Sequence, residues 1–184
     1  MNMNKTVAGV SVGALAGLAL VAYVRRKEEN NYPTLPVARY VDLTKYAGDW
    51  YEIARMPARF EKECYASKAH YTLNEDGTVN VLNTCHKKGV QGKVKKATAK
   101  AYVVDPVSNA KLKVQFFWPF SGDYWIMDVG DQYEYALVGE PSRKYLWILS
   151  RTPQLDNTIL DSLLDKAKKQ GFDISKLIHT KHFD

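Results

Sequence analysis

Between Asp49 and Ser150 the chain alternates apolar and polar residues in short runs, each ending at a turn signal. The runs fall at about 49–56, 65–73, 78–86, 92–104, 110–117, 123–129, 132–139 and 144–150. Between them lie NEDG, KKG, DPVSN, WPFSG, VGDQ and GEPSR, all rich in residues that favour turns. A period of two buries one face of a strand. Connections this short leave no room for crossover helices, so the spacing predicts an all-β fold of eight antiparallel strands in up-and-down order. Closure into a barrel removes the free edges that an open sheet would expose.

The period changes after Asp156. Ile159, Leu160, Leu163, Leu164 and Ala167 form an apolar stripe at helical spacing. Asp156 suits the N-cap, Lys166, Lys168 and Lys169 suit the last turn, and Gly171 suits the stop. A single apolar face predicts a helix packed outside the barrel. A last short strand is expected near 177–182.

Alternation also separates the two faces of the sheet. Leu112, Val114 and Phe116 alternate with lysines and a glutamine, which places the apolar set inside. Ala97, Ala99 and Ala101 alternate with Lys96, Thr98 and Lys100. A wall of alanines leaves space where a merely packed barrel would prefer bulk. A turn at Gly130-Asp131 puts Tyr124, Ile126, Tyr133, Tyr135 and Leu137 on one inner face, and Trp147 joins them from the last run. Ala54 and Met56 on the first run complete the expected lining. An apolar, aromatic interior with phenol hydroxyls as its polar points fits a long apolar ligand with a small polar head. The alternative is that the rings simply fill the core.

Gly48 allows a tight entry into the first run, and Trp50 can plug the end of a barrel. Arg151, arriving from the last run, can stack on that indole for roughly 0.5–2 kcal/mol. Cys64 and Cys85 flank the NEDG hairpin signal, and folding about Glu75-Asp76 brings them nearly opposite, as a disulfide requires. A bond there implies an oxidising compartment; the alternative is two free buried thiols.

The net charge of +6 comes largely from Lys87, Lys88, Lys93, Lys95, Lys96 and Lys100. Such a strip is commonly a solvated face, and it could also meet anionic headgroups. Stacking aromatics are missing from it apart from Tyr102, which excludes nucleic acid. His70, His86, His179 and His182 are scattered, no Ser-His-Asp grouping is evident, and no paired carboxylates fall in the predicted interior. We therefore expect no catalytic residue, no metal and no cofactor.

Residues 1–27 contain a nearly unbroken apolar run at 7–24, long enough for a membrane-spanning helix and long for a signal peptide. An uncleaved N-terminal hydrophobic anchor is the leading expectation, with a cleaved secretory signal next. Residues 28–41, punctuated by Pro33 and Pro36, read as a linker, and 42–184 as the folded domain. Arg25, Arg26 and Lys27 favour a cytoplasmic domain, whereas the cysteine pair favours a periplasmic or extracytoplasmic one.

Three segments together resemble the lipocalins, in particular the bacterial lipocalins and their apolipoprotein-D-like relatives. They are Tyr46-Ala47-Gly48-Asp49-Trp50-Tyr51-Glu52-Ile53-Ala54-Arg55, Tyr133-Glu134-Tyr135-Ala136-Leu137-Val138 and Tyr145-Leu146-Trp147-Ile148-Leu149-Ser150-Arg151-Thr152-Pro153. The resemblance covers about residues 36–184. It implies an eight-stranded calyx closed below by Trp50 and Arg151 and open above. It also implies a carrier of fatty acids, lysophospholipids or other lipids, linked with envelope maintenance and stress. Bacterial members often carry a lipidated cysteine after the signal sequence. This chain has none there, so a membrane partner is expected through the N-terminal helix instead. An isomerase-like enzyme and a packed interaction module are the alternatives. Ligand identity and oligomeric state are left open by the sequence.

Overall fold

The computed structural model describes residues 34–117 and 120–183. A short helix α1 (Leu43–Tyr46) leads into β1 (Gly48–Arg55). The Asp42 carboxylate caps α1 by accepting from the Thr44 and Lys45 amides. A 3₁₀ turn (Arg59–Glu61) then precedes β2 (Cys64–Leu73), β3 (Val79–Lys87), β4 (Val94–Val103) and β5 (Lys111–Phe117). β6 (Phe120–Val129), β7 (Tyr135–Gly139) and β8 (Leu146–Ser150) complete the meander. Each strand pairs antiparallel with the next, and β1 pairs with both β8 and β2, which closes the barrel. The predicted eight-stranded up-and-down barrel is thus the observed one. The expected N-terminal hydrophobic helix lies outside the described residues.

Helix α2 (Asn157–Lys169) packs on the outer surface, capped by the Asp156 carboxylate through the Thr158 and Ile159 amides at 2.8 and 3.3 Å. Its Leu163 and Ala167 are buried with Leu137, Leu146, Ile148 and Phe172. A second apolar cluster lies inside the barrel: Trp50, Tyr71, Val81, Ala101, Leu112, Ile126, Val138 and Leu149 belong to it. The chain therefore has two cores, one on each face of the sheet, as strand alternation demands. The segment from Leu35 to Val41, read from the sequence as the end of a linker, lies against the barrel. Leu35 and Val41 are buried, and Val41 donates to the Ser108 carbonyl at 2.8 Å.

One seam needs a separate closure. β1 pairs with β2 only from Gly48 to Tyr51. Beyond that β9 (Ile178–His179) takes the place of β2, pairing His179 with Ala54 and Ile178 with Arg55. Thr180 donates to the Ile53 carbonyl at 2.9 Å, and Lys181 accepts from Ala66 at 2.7 Å. The C-terminal segment thus satisfies backbone groups on both sides of the gap.

Two bulges correct the assigned faces. A register shift between Glu52 and Ala54 reverses the alternation of β1. Ala54 and Met56, expected in the lining, belong to the outer cluster under α2. Another shift between Ile126 and Asp128 does the same to the β6–β7 pair. Ala136 and Val138 therefore face inward, and Tyr135 and Leu137, also expected inside, belong with the outer cluster. Tyr133 is not on a strand at all. It sits in the turn before β7 with φ of +58°, at the closed end.

Candidate ligand-binding calyx

The closed end is built around Trp50, which is fully buried and donates its indole N–H to the Tyr46 carbonyl at 2.8 Å. The Arg151 guanidinium lies over that ring, 3.9 Å from its centroid. Its three nitrogens donate to the carbonyls of Tyr133, Asp49 and Lys45 at 3.1, 2.7 and 2.7 Å. One side chain thereby ties the turn before β7, the start of β1 and helix α1 together. Gly48 supplies the φ of +93° that turns the chain from α1 into β1, and a Cβ there would stand 3.5 Å from the guanidinium. Tyr133 fastens the same end by accepting from the Asp42 amide at 2.8 Å.

Above the indole sits a phenol triad. The Tyr124 hydroxyl is 2.8 Å from that of Tyr46 and 3.0 Å from that of Tyr71. Burial pushes all three phenols above their ordinary range, Tyr71 to about 12. They border a cavity of about 10 Å³ whose other walls are aliphatic, from Leu43, Val79, Ala101, Leu112 and Val114.

The walls rise from there on alternating positions. Ala101 pairs with Val79 and with Val114, and Ala99 pairs with Val81, so these residues share the inner face. Leu112, Ile126, Ala101 and Val138 are closed off from solvent. Ala97, Ala99 and Val114 point the same way yet remain half-buried. These three inward positions therefore keep partial exposure.

The open end carries aromatic and charged groups. Phe116 is 46% exposed, and its ring is 6.4 Å from Phe60 on the 3₁₀ turn. Phe60 lies 5.8 Å from Tyr145, which stacks on Trp147 at 5.9 Å. The predicted bond between Cys64 and Cys85 is present beside this rim, with Cα atoms 5.4 Å apart. Lys95 of the basic strip reaches the turn and donates to the Phe60 carbonyl at 3.2 Å.

Beneath the turn lies a group that the sequence did not reveal. Arg55 is buried, with Nε 3.2 Å from Glu52 and 3.4 Å from Glu61 and Nη2 donating to the Glu61 carbonyl at 2.9 Å. The Trp147 indole N–H lies 3.4 Å from both Glu61 oxygens. The expectation that no paired carboxylates occupy the interior is thus corrected, because two of them share one guanidinium. Burial raises both carboxyls, and the neighbouring Glu52 charge helps raise Glu61 to about 8. The cluster therefore retains a proton near neutrality. Arg55 escaped notice because the bulge reverses the face it would otherwise take, and Glu61 because it sits in a turn.

A closed barrel with an apolar interior, a stacked floor and a turn beside its mouth has the architecture of a calyx. The chain belongs to the lipocalins. The family model described as a lipocalin-like domain matches residues 41–182. Temperature-induced lipocalin-1 of Arabidopsis thaliana is 43% identical over 159 residues, covering 82% of this chain and 84% of the relative. The outer membrane lipoprotein Blc of Vibrio cholerae is 39% identical over 147 residues, covering 79% of this chain and 85% of its own. Insecticyanin from the tobacco hornworm Manduca sexta shares the fold, with a TM-score of 0.66 at 22% identity over 83% of this chain and 87% of its own.

Membership settles two further points. Lipocalins are a transport family without catalytic chemistry, so the chain is a binding protein and not an enzyme. Among the described residues no cluster of three metal-ligating side chains occurs. The expected membrane partner, engaged through a spanning N-terminal helix, is overturned. Similar bacterial proteins are named outer membrane lipoproteins, which is a different tether. Among the described residues no helix is long and apolar enough to cross a membrane, and the run at 7–24 lies outside them.

Proposed function

We propose that the barrel carries long-chain lipids, fatty acids or lysophospholipids, with the chain in the calyx and the polar head near the mouth. The observation that carries this reading is the half-buried state of Ala97, Ala99 and Val114. Inward side chains in contact with solvent mean unfilled space, which a packed interaction module would not keep. Ala101, Leu112, Phe116, Tyr124, Ile126 and Trp147 complete the contact surface. Each buried methylene contributes about 0.8 kcal/mol, so about ten of them supply the ~8 kcal/mol of micromolar affinity before ordering costs.

The disulfide supports an extracytoplasmic, oxidising setting, since such bonds persist there. The names of the bacterial and plant relatives, outer membrane and temperature-induced, support a role in envelope maintenance under stress. Displacement of a fluorescent fatty acid tests the carrier reading. Replacing Ala99 by Phe fills the calyx and is expected to weaken probe binding at least tenfold while the fold survives. Unchanged binding would place the probe outside the barrel.

A further inference from the structure

The phenol triad holds one more proton than it can use. Tyr46, Tyr71 and Tyr124 carry three hydroxyl protons, and two oxygen–oxygen contacts join them. Each contact consumes one proton, whichever way the donors point. One O–H is left without an acceptor among the described residues, in a group of which Tyr46 and Tyr71 are buried and Tyr124 half-buried. All three rings border the 10 Å³ cavity, whose remaining lining is aliphatic. That volume is about the space of a single water-sized group.

Val114 is half-buried and borders the cavity itself, and the half-buried Ala99 stands two residues before Ala101 of the cavity lining. A chain entering from the mouth meets the free O–H at its leading end. From this geometry we infer that the floor of the calyx is a hydrogen-bonding subsite, which selects long-chain ligands bearing a neutral oxygen at the end that enters first. A terminal hydroxyl or carbonyl fits; a plain methyl end does not use the donor. A carboxylate is disfavoured at this position because the floor's cation, Arg151, lies over the Trp50 ring and donates to three backbone carbonyls. Its place is the mouth, near Lys95.

The inference rests on the carrier reading and deepens it. The test uses the full chain and two probes of equal length, hexadecanoic acid and 16-hydroxyhexadecanoic acid, competing with a fluorescent fatty acid. In an ordinary apolar pocket the added hydroxyl costs affinity, since it leaves water without a partner. Here the hydroxy acid is expected to bind at least as tightly as its parent. In the triple variant Tyr46→Phe/Tyr71→Phe/Tyr124→Phe the ratio of the two affinities is expected to shift at least tenfold toward the parent acid. Removing all three hydroxyls together leaves no orphaned partner, so the variant is expected to fold, as near-ultraviolet circular dichroism would check.

A hydroxy acid weaker than its parent in the wild-type chain overturns the subsite and leaves the carrier reading standing. A preference that survives in the triple variant also overturns it, because the triad then serves only a trapped water. If neither acid displaces the probe, both readings fall together.

Discussion

The two ends of the barrel solve opposite problems with the same kinds of side chain. At the floor an arginine lies over Trp50 and satisfies three backbone carbonyls. It has no carboxylate partner in that set, and half-exposure keeps its charge hydrated. At the mouth an arginine is buried at 3% exposure between two carboxyls. The floor is a staple that needs no titrating group. The mouth is a charged latch in which one group must stay protonated, and which binds the 3₁₀ turn to the strands it covers. Burying charge is expensive unless it is paired, so the latch is the more fragile of the two.

Arg55→Ala breaks the latch from its centre and strands two buried carboxyls. The expected loss is about 3–5 kcal/mol in urea unfolding. Arg151→Ala removes a cation–π contact and three hydrogen bonds whose acceptors can turn to water. Its expected cost is about 1–2 kcal/mol. Equal losses in the two variants would erase the contrast between staple and latch. A larger loss at Arg151 would invert it.

The floor was legible in the sequence and the mouth was not, for a physical reason. Gly48, Trp50 and Arg151 are fixed by local geometry and regular alternation, which a period of two reveals. The barrel order and the outer helix follow from the same periodicities. Glu52, Arg55 and Glu61 meet only because β1 bulges and a turn folds back over the strand ends. A bulge inserts one residue and flips every later side chain, so one hidden insertion misplaced Ala54 and Met56 as well as hiding the cluster. The bulge in β6 misplaced Tyr135 in the same way. The phenol triad was half visible. Tyr124 was assigned inward from its alternation, but Tyr46 and Tyr71 join it from α1 and β2, and no local pattern connects those three positions.

The smallest expected effect separates the two ends by pH. Glu61 rises from its ordinary 4.5 to about 8 in the folded chain, chiefly through burial and then through the Glu52 charge. The folded state therefore holds a proton that the unfolded chain releases between those values. Its stabilising effect is full below pH 4.5 and is lost as pH rises toward 8. The slope is at most about 1.4 kcal/mol per pH unit and is reduced by partial solvent access to Glu61. Asp76, Asp105, Asp156 and Asp173 are shifted downward and titrate below this window, so they do not mask it. Urea midpoints at pH 5, 6, 7 and 8, compared with those of Glu61→Gln, isolate the effect, because the histidines are common to both. The wild-type curve should fall more steeply than that of the variant. Parallel curves would mean that Glu61 is ionised throughout, making the mouth an ordinary ion pair that differs from the floor only in burial.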